Sequence, residues 1–322
     1  MPTAILTGAT GCVGRNILEE LLEKKWKVIV LHRRSSDISR ISSLPIELAE
    51  VNLHNEGSIL MKIPSDVDAL FHVAGNTSHW SAEAAQQRAD NVLATRNLVS
   101  VALERKVKKF IFTSTGATLG YQNLDEERAE GIPNNYVKTK YLAELEVHKG
   151  IERGLFGVIL HPIIVIGPYD YNSYSQIFQS LKKGPMRVAF PGSIAFCHAR
   201  DVAIAHLQAY ESGRNAESYV LGGPYTTWLE TFQLICKKLQ VPPPQVFSKW
   251  KLAMIAYGMD FSSRFTGKKP LLSPELIKLV GPSPDVTPKE KRKAKLELNY
   301  ESRSLETMVD DCHRWLVHEG LL

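Results

Sequence analysis

A glycine-rich turn at the start of the chain constrains the fold more than any other feature. The apolar run Thr3–Thr7 is followed at once by Gly8, Gly11 and Gly14, and an amphipathic helix pattern begins there. In parallel α/β proteins this order of elements holds the pyrophosphate of a dinucleotide. One glycine allows a tight turn, one lets the phosphate approach the backbone, and one lets the helix pack on the strand, while the helix N-terminus favours an anion.

The first half of the chain alternates strand and helix patterns. Such alternation predicts an α/β fold with a doubly wound parallel sheet, a Rossmann fold, and the looser second half predicts a smaller, mostly helical substrate-binding part. We predict a dinucleotide-binding domain of residues 1–166 plus 196–221 and a cap of residues 167–195 plus 222–322. The predicted strands cover residues 3–7, 27–32, 46–51, 69–73, 109–113 and 156–161, and the longest helices cover about 82–104 and 135–153.

Composition excludes several other classes of protein. The net charge is +5, and the densest basic run, residues 289–295, contains no aromatic residue, so we expect no nucleic-acid partner. The four cysteines are far apart in sequence, which favours reduced thiols and no metal site. The first strand pattern begins at residue 3 and no apolar run reaches about 18 residues. We therefore expect a cytoplasmic protein with no membrane partner.

Two arginines at the end of the second strand bear on the choice of dinucleotide. A carboxylate there would bind the ribose hydroxyls of NAD, but the segment contains Arg33 and Arg34, and no acid precedes Asp37. Guanidinium groups suit a 2′-phosphate, so NADP is expected, with NAD less favoured. The alternative is that both arginines are loop charges without a ligand. Asn52 and Leu53, after the third strand, are expected to border the adenine ring.

Tyr136 and Lys140 lie four residues apart on a predicted helix, which places both side chains on one face. A neighbouring ammonium group stabilises phenolate, so we expect Lys140 to lower the pKa of Tyr136 and to fit it for proton exchange with a carbonyl or alcohol oxygen. Thr115, at the carboxyl end of the fifth strand, is the candidate donor to that oxygen. Alone, a tyrosine and a lysine at this spacing also occur in helices without chemistry, and Thr115 could simply cap a strand.

Together these segments resemble the extended short-chain dehydrogenase/reductase family over nearly the whole chain, with His161 where the family has arginine. The similar segments are 7–14, 72–75, Asn91, Thr115 with Tyr136 and Lys140, 161–168 and 196–203. The resemblance implies cofactor contacts from Gly8, Thr10, Gly11, Cys12, Val13, Gly14, Ala74, Gly75, Asn91, Thr113, Tyr136, Lys140, Pro162, Ile163 and Ile164, in addition to Arg33, Arg34, Asn52 and Leu53.

Within that family the chain is most similar to dihydroflavonol-reductase-like and 3β-hydroxysteroid-dehydrogenase-like members. This implies reduction of a ketone or aldehyde, or oxidation of the matching secondary alcohol, on a fairly apolar molecule. A nucleotide-sugar epimerase or reductase is the rival, but Gly116 and Ala117 replace the two carboxylates of the sugar dehydratases, and residues 193–195 offer no arginine. A non-catalytic NADP-binding regulatory module is a third possibility.

The substrate pocket and the assembly state are the last expectations. The candidate pocket combines residues after the fourth strand, residues after Thr115 and an aromatic loop at 169–174: Asn76, Thr77, Trp80, Thr118, Leu119, Tyr169 and Tyr174. Some of these aromatic side chains could instead pack the cap on the sheet. The helices at about 82–104 and 135–153 could pair in a homodimer, as in many relatives.

Overall fold

The computed structural model describes residues 1–121, 123–171, 173–184, 187–281 and 285–322. Asn172, within the predicted pocket loop, therefore lies outside the described residues. The strands in chain order are β1 (Thr3–Thr7), β2 (Lys27–His32), β3 (Glu47–Glu50), β4 (Ala69–His72), β5 (Lys109–Thr113), β6 (Gly157–Pro162), β7 (Ile164–Ile166), β8 (Val188–Ala189), β9 (Ser193–His198), β10 (Ser218–Leu221), β11 (Tyr225–Thr227) and β12 (Gln245–Val246).

The α-helices lie between and after these strands. In chain order they are α1 (Cys12–Glu23), α2 (Glu56–Leu60), α3 (Ala84–Arg88), α4 (Ala94–Glu104), α5 (Glu126–Ala129), α6 (Asn135–Glu152), α7 (Ser175–Lys183), α8 (Ala199–Ser212), α9 (Trp228–Leu239), α10 (Lys249–Thr266), α11 (Pro274–Leu279), α12 (Pro288–Leu298) and α13 (Leu305–His318).

A seven-stranded parallel sheet in the order β10-β6-β5-β4-β1-β2-β3 forms the centre of the fold. The chain first winds outward from β1 to β3 and then returns to β4 on the other side of β1. This reversal confirms the predicted doubly wound sheet, and it opens a crevice at the carboxyl ends of β1 and β4, where such folds bind ligands.

Both faces of the sheet are covered, as a parallel sheet requires. On one face Ile17 and Leu21 of α1 and Val202 of α8 pack on the strands. On the other face Leu98 of α4 and Val147 of α6 do the same. These five side chains are almost completely buried. The apolar positions of each helix therefore determine which side of the helix packs against the sheet.

The helical segment predicted at 82–104 is confirmed, but it is not one α-helix. It consists of a 3₁₀ turn at Ser81–Glu83, α3, a π-helical turn at Ala89–Leu93, and α4. A π turn adds a residue to the turn and is frequent at functional sites. Here it carries Asn91, which it directs toward the loop after β4.

A smaller three-stranded sheet, β11-β9-β7, was not predicted from the sequence. It packs with α7, α9 and α13 around Phe178, Phe196, Trp228 and Trp315. This sheet uses residues on both sides of the predicted boundaries at 166 and 196, and the division into domains stays a prediction.

In the part of the chain that the structure describes, no helix combines the length and the apolar character needed to cross a membrane.

Candidate active site

The glycine turn after β1 has the geometry of an anion cradle. Gly8 has φ +77°, and a Cβ atom there would lie 2.7 Å from the Ala74 amide nitrogen. The Gly11 N–H donates to the Gly8 carbonyl at 3.0 Å, which closes the turn. A Cβ on Gly14 would lie 2.1 Å from the Gly8 oxygen, so this position admits only glycine if α1 is to pack against the turn.

The N-terminus of α1 is left available to a ligand. Gly11 is its N-cap residue and has no side-chain cap, and no acidic residue lies in the first turn. The first N–H groups of a helix need an acceptor, and the dipole favours a negative one. Thr10 and Gly11 are exposed at this point. The turn therefore fits the pyrophosphate of a dinucleotide, and the assignment of Gly8, Thr10, Gly11, Cys12, Val13 and Gly14 to the cofactor stays a prediction.

A buried histidine fixes the loop that faces this turn. The Thr7 hydroxyl accepts the N–H groups of residues 73 and 74 at 3.1 and 3.0 Å, so its proton points to Nδ1 of His72 at 2.9 Å. His72 Nε2 then donates to Thr95, whose hydroxyl donates to the Asn91 carbonyl. This proton order requires a neutral ring, and burial with the Lys140 charge lowers the pKa of His72 to about 3.

Asn91 ties the loop after β4 to helix α6. Its Oδ1 accepts the N–H of Asn76 at 2.7 Å, and its Nδ2 donates to the Asn76 carbonyl at 3.0 Å and to the Thr139 hydroxyl at 2.9 Å. A Cβ on Gly75 would be 3.8 Å from Nζ of Lys140. Backbone 75–76 thus passes close to the lysine of the candidate catalytic group.

Lys140 is buried beside the end of β5. Its Nζ donates to the Thr113 carbonyl at 2.6 Å and lies 4.3 Å from the centre of the Phe112 ring. Burial lowers the pKa of Lys140 to about 8, although the Glu144 carboxylate acts in the opposite direction. The amine is held next to the strand end at which Thr115 emerges.

Tyr136 differs from expectation in its titration. Burial raises the pKa of Tyr136 above its ordinary value, and a hydrogen bond with Thr115 only partly offsets this. The lowering expected from Lys140 is therefore not found, because desolvation of the phenolate is the largest influence on its pKa. Thr115 is thus close enough to Tyr136 to affect its pKa, and the catalytic roles of the two residues stay a prediction.

Thr115 begins a short 3₁₀ helix, Gly116–Gly120, for which its hydroxyl accepts the Ala117 N–H at 3.3 Å. The capping role considered from the sequence is thus present. At Gly116 a Cβ would lie 2.1 Å from Cδ1 of Ile163. The absence of a side chain at Gly116 lets Ile163, which follows β6 and Pro162, approach the strand end beside Thr115.

The sequence did not predict a buried carboxylate close to Thr115. Glu144 Oε1 accepts hydrogen bonds from the Ser114 hydroxyl and from the Thr118 hydroxyl at 2.8 Å, and lies 3.7 Å from Nδ1 of His161. His161, the residue in place of the family's arginine, also contacts the Thr115 carbonyl at 3.2 Å. Glu144 lies four residues after Lys140, so a search for a third helix-face residue would have found it.

The crevice near the end of β2 contains an acid that the sequence did not predict. Arg33 is exposed, and its Nη1 lies 4.0 Å from the Asp90 carboxylate of the π turn. That carboxylate also accepts from Asn76 Nδ2 at 3.0 Å. Arg34 is exposed, and Asn52 Oδ1 accepts the His54 N–H at 3.0 Å. The Arg33 guanidinium is therefore only weakly paired and remains accessible to an anion.

The predicted pocket residues divide into two groups. Five of the predicted pocket residues lie in segments next to Tyr136 and Thr115. They are Asn76, Thr77 and Trp80 in the segment after β4, and Thr118 and Leu119 in the 3₁₀ helix after Thr115. The Tyr136 ring packs edge-on against the His79 ring, with ring centres 5.3 Å apart. The Tyr174 ring stacks on Trp228 of α9 with ring centres 6.3 Å apart, and burial raises the pKa of its hydroxyl.

Tyr169 faces elsewhere. Its hydroxyl donates to Glu19 of α1 at 2.7 Å, its ring lies 5.0 Å from the Arg15 guanidinium, and it packs on Trp315. Burial and then Glu19 raise the pKa of Tyr169 to about 12. These contacts fit the alternative that Tyr169 packs the cap on the sheet, and its place in the pocket stays a prediction without support.

Comparisons with known proteins agree with this geometry. A family model for the NAD-dependent epimerase/dehydratase family matches residues 4–222. A putative dihydroflavonol 4-reductase of Synechocystis sp. is 31% identical over 231 residues, 67% of this chain and 66% of that protein. Sterol demethylase protein B of Methylococcus capsulatus is 30% identical over 242 residues, 71% of this chain and 74% of that protein.

Among solved structures, the crystal structure of gox2253 shares 28% identity and a TM-score of 0.80, with 100% of this chain and 99% of that chain covered. The chain thus matches about two-thirds to three-quarters of the two curated relatives and the full length of this structure.

Proposed function

This chain belongs to the NAD-dependent epimerase/dehydratase family, within the extended short-chain dehydrogenases/reductases, and we propose that it uses NADPH to reduce a ketone or aldehyde on a fairly apolar small molecule. The same site would oxidise the matching secondary alcohol in reverse. The observation that supports this most strongly is the buried Lys140, one helical turn from Tyr136, whose Nζ donates to the Thr113 carbonyl at 2.6 Å, two residues before Thr115.

The described residues fit a nicotinamide dinucleotide. The uncapped start of α1 and the close backbone approach at Gly8 and Gly14 would hold the pyrophosphate. Arg33, with Arg34, would pair with a 2′-phosphate, and Asn52 and Leu53 would border the adenine. Lys140 and the segment 162–164 would hold the nicotinamide ribose and ring. When bound, the reduced nicotinamide supplies the hydride.

Tyr136 would act as the proton donor to the substrate oxygen. Its raised pKa keeps the phenol protonated at neutral pH, which is the form that reduction needs. Thr115 would donate a hydrogen bond to the same oxygen and orient the carbonyl. Lys140, cationic below its pKa of about 8, would stabilise the negative charge that develops there.

Two rival functions explain fewer of these observations. A nucleotide-sugar epimerase shares the fold and the family model, but residues 193–195 offer no arginine to the diphosphate of such a substrate. A non-catalytic NADP-binding module needs the glycine turn but gives no reason for the buried Lys140 at the end of β5, one helical turn from Tyr136.

A panel of ketones, aldehydes, secondary alcohols and nucleotide sugars, assayed by nicotinamide absorbance with both NADPH and NADH, tests the proposal. We expect oxidation of NADPH with at least one apolar carbonyl compound and no turnover of nucleotide sugars. NADPH binding without any turnover across the panel would favour the regulatory module, and conversion of a nucleotide sugar would favour the epimerase.

Replacing Arg33 with alanine should weaken NADPH much more than NADH. A charge-assisted contact to a 2′-phosphate contributes about 1.5–3 kcal/mol, so the Kd for NADPH should rise roughly tenfold to a hundredfold. Fluorescence titration of the reduced nicotinamide measures both affinities. Arg40→Ala is the matched control, since Arg40 stacks on Tyr171 at 3.6 Å instead. Equal losses for NADPH and NADH would contradict the assignment.

A further inference from the structure

Helix α10 presents a continuous apolar stripe to solvent. Its members Trp250, Met254, Tyr257, Phe261 and Phe265, here called the α10 stripe, are each 60–77% exposed. The spacing of three or four residues places them on one side of the helix along its full length. Single exposed apolar residues are ordinary on protein surfaces, but a contiguous aromatic patch of this kind marks an interaction site.

The opposite side of α10 is already used for packing. Leu252 and Ala256 are completely buried against Ile277 of α11 and the following Val280, and Ser263 on the same side is 3% exposed. A helix that is apolar on all sides is normally enclosed by protein or membrane. The core accounts for one side of α10 and leaves the stripe without a cover in the described chain.

The surroundings of the stripe are basic at both ends. Residues 249–278 contain six Lys and Arg and two Asp and Glu. Lys249 and Lys251 lie at the start of α10, and Lys268 lies just beyond its end. Within the described residues none of these three forms an ion pair, whereas Lys269 pairs with Glu83 at 3.6 Å. An occupant of the stripe must therefore be apolar and negatively charged.

This charge distribution distinguishes the possible occupants. A second copy of the chain, paired stripe to stripe in either direction, would bring lysines against lysines, because both ends carry the same sign. An anionic bilayer surface offers acyl chains for the aromatic side chains and headgroups for the lysines. We propose that the α10 stripe docks the protein on an anionic membrane surface, with α10 lying along the headgroup region.

The last turns of α10 lie beside the loop whose His79 ring packs on Tyr136. A cavity of about 430 Å³ opens between the last turns of α10 and the loop that begins at Trp80, and it is lined by Trp80, Ser81, Ala82, Asp260, Ser263, Arg264 and Gly267. Ser273 donates to the His79 carbonyl, and Asn134, the N-cap of α6, donates to the Glu275 carbonyl at 2.9 Å. Docking would place this cavity close to the lipid.

The expectation of no membrane partner came from the length of the apolar runs. Run length bears on helices that cross a bilayer, whereas a helix lying on the surface needs only one apolar side. The exposed stripe leads us to replace that expectation. Docking is independent of the proposed chemistry, although delivery of an apolar substrate from the membrane rests on the proposed function.

Vesicle flotation of the full chain tests the proposal. Vesicles of phosphatidylcholine mixed with phosphatidylglycerol should bind the protein, more weakly as salt rises, and phosphatidylcholine alone should bind it less. The double variant Phe261→Glu, Phe265→Glu should lower the partition coefficient roughly tenfold or more, because two apolar side chains that would enter the headgroup region become charged. Lys249→Glu with Lys251→Glu should remove the preference for the anionic lipid.

The control is Leu296→Glu, which changes an equally exposed leucine on α12 (71%) and should bind vesicles as the unmodified chain does. Unchanged thermal melting and NADPH affinity would show that the stripe variants still fold, so vesicle binding and the enzyme activity can fail separately. Absence of vesicle binding, or binding that the stripe variants leave intact, overturns the proposal. A dimer in sedimentation that Phe261→Glu, Phe265→Glu dissociates would also overturn it, in favour of a second copy.

Discussion

Replacing Tyr136 with phenylalanine should lower kcat for carbonyl reduction by roughly 10²–10⁴-fold, because the oxygen that receives the hydride would lose its proton donor. The Tyr136 ring packs against His79, and phenylalanine keeps that contact. NADPH affinity should therefore change little. Single-turnover absorbance measurements give the rate, and fluorescence titration gives the affinity.

Tyr141→Phe on the same helix is the matched control. The Tyr141 hydroxyl accepts the N–H of Leu124 at 2.9 Å and donates to its carbonyl at 3.1 Å, so its loss should affect stability by about 1 kcal/mol and leave kcat nearly unchanged. If Tyr136→Phe kept most of the activity, the proton would have to come from another group, and the proposed mechanism would be wrong.

The titration of Lys140 sets the direction of the pH dependence. Burial lowers its pKa from 10.5 to about 8, so the cation is present at neutral pH and is lost as the pH rises through that value. Reduction should slow over the same range, because the charge that stabilises the developing alkoxide disappears. Alcohol oxidation passes through the same transition state in reverse and also uses the Lys140 cation, so its rate should fall over the same range. Initial rates in both directions test this prediction.

The sequence was most informative where chemistry and periodicity coincide. The bounds predicted for β1, β2 and β5 are those of the structure. Their residues form apolar runs with turn residues on both sides, because a parallel sheet buries both faces of its strands. The glycine spacing also indicated at which edge of the sheet a ligand should bind, since a backbone that closely approaches a phosphate leaves no room for a side chain.

The sequence was least informative where a site depends on residues far apart in the chain. Asp90 lies 57 positions after Arg33, and only the π turn brings its carboxylate within 4.0 Å of the guanidinium. The strands β7 and β11 are three residues long, which is too short for a periodic pattern. Glu144 was different, since its place on the face of Tyr136 and Lys140 could have been deduced from the helix repeat.

Replacing Gly14 with alanine should abolish cofactor binding and destabilise the N-terminal half of the sheet. The new Cβ would lie 2.1 Å from the Gly8 oxygen and 2.5 Å from the Gly8 carbon, both backbone atoms that cannot rotate away. Helix α1 would have to move off β1, at a cost of about 3 kcal/mol or more. Because Gly8 itself contacts the backbone of residues 73–74, the displacement would also open the crevice.

Substitutions at two other glycines distinguish an effect on helix packing from an effect on cofactor binding. A Cβ on Gly11 would lie 3.5 Å from the Gly8 oxygen, which is an ordinary contact, so the Gly11→Ala protein should melt like the unmodified chain. It should still lose NADPH affinity, because the added methyl group would lie where the phosphate approaches the exposed backbone. A Cβ on Gly120 meets no atom within 4 Å, and Gly120→Ala should change neither property. Thermal melting with and without NADPH measures both. A Gly14→Ala protein that melts and binds as the Gly120→Ala protein does would show that the dinucleotide is held elsewhere.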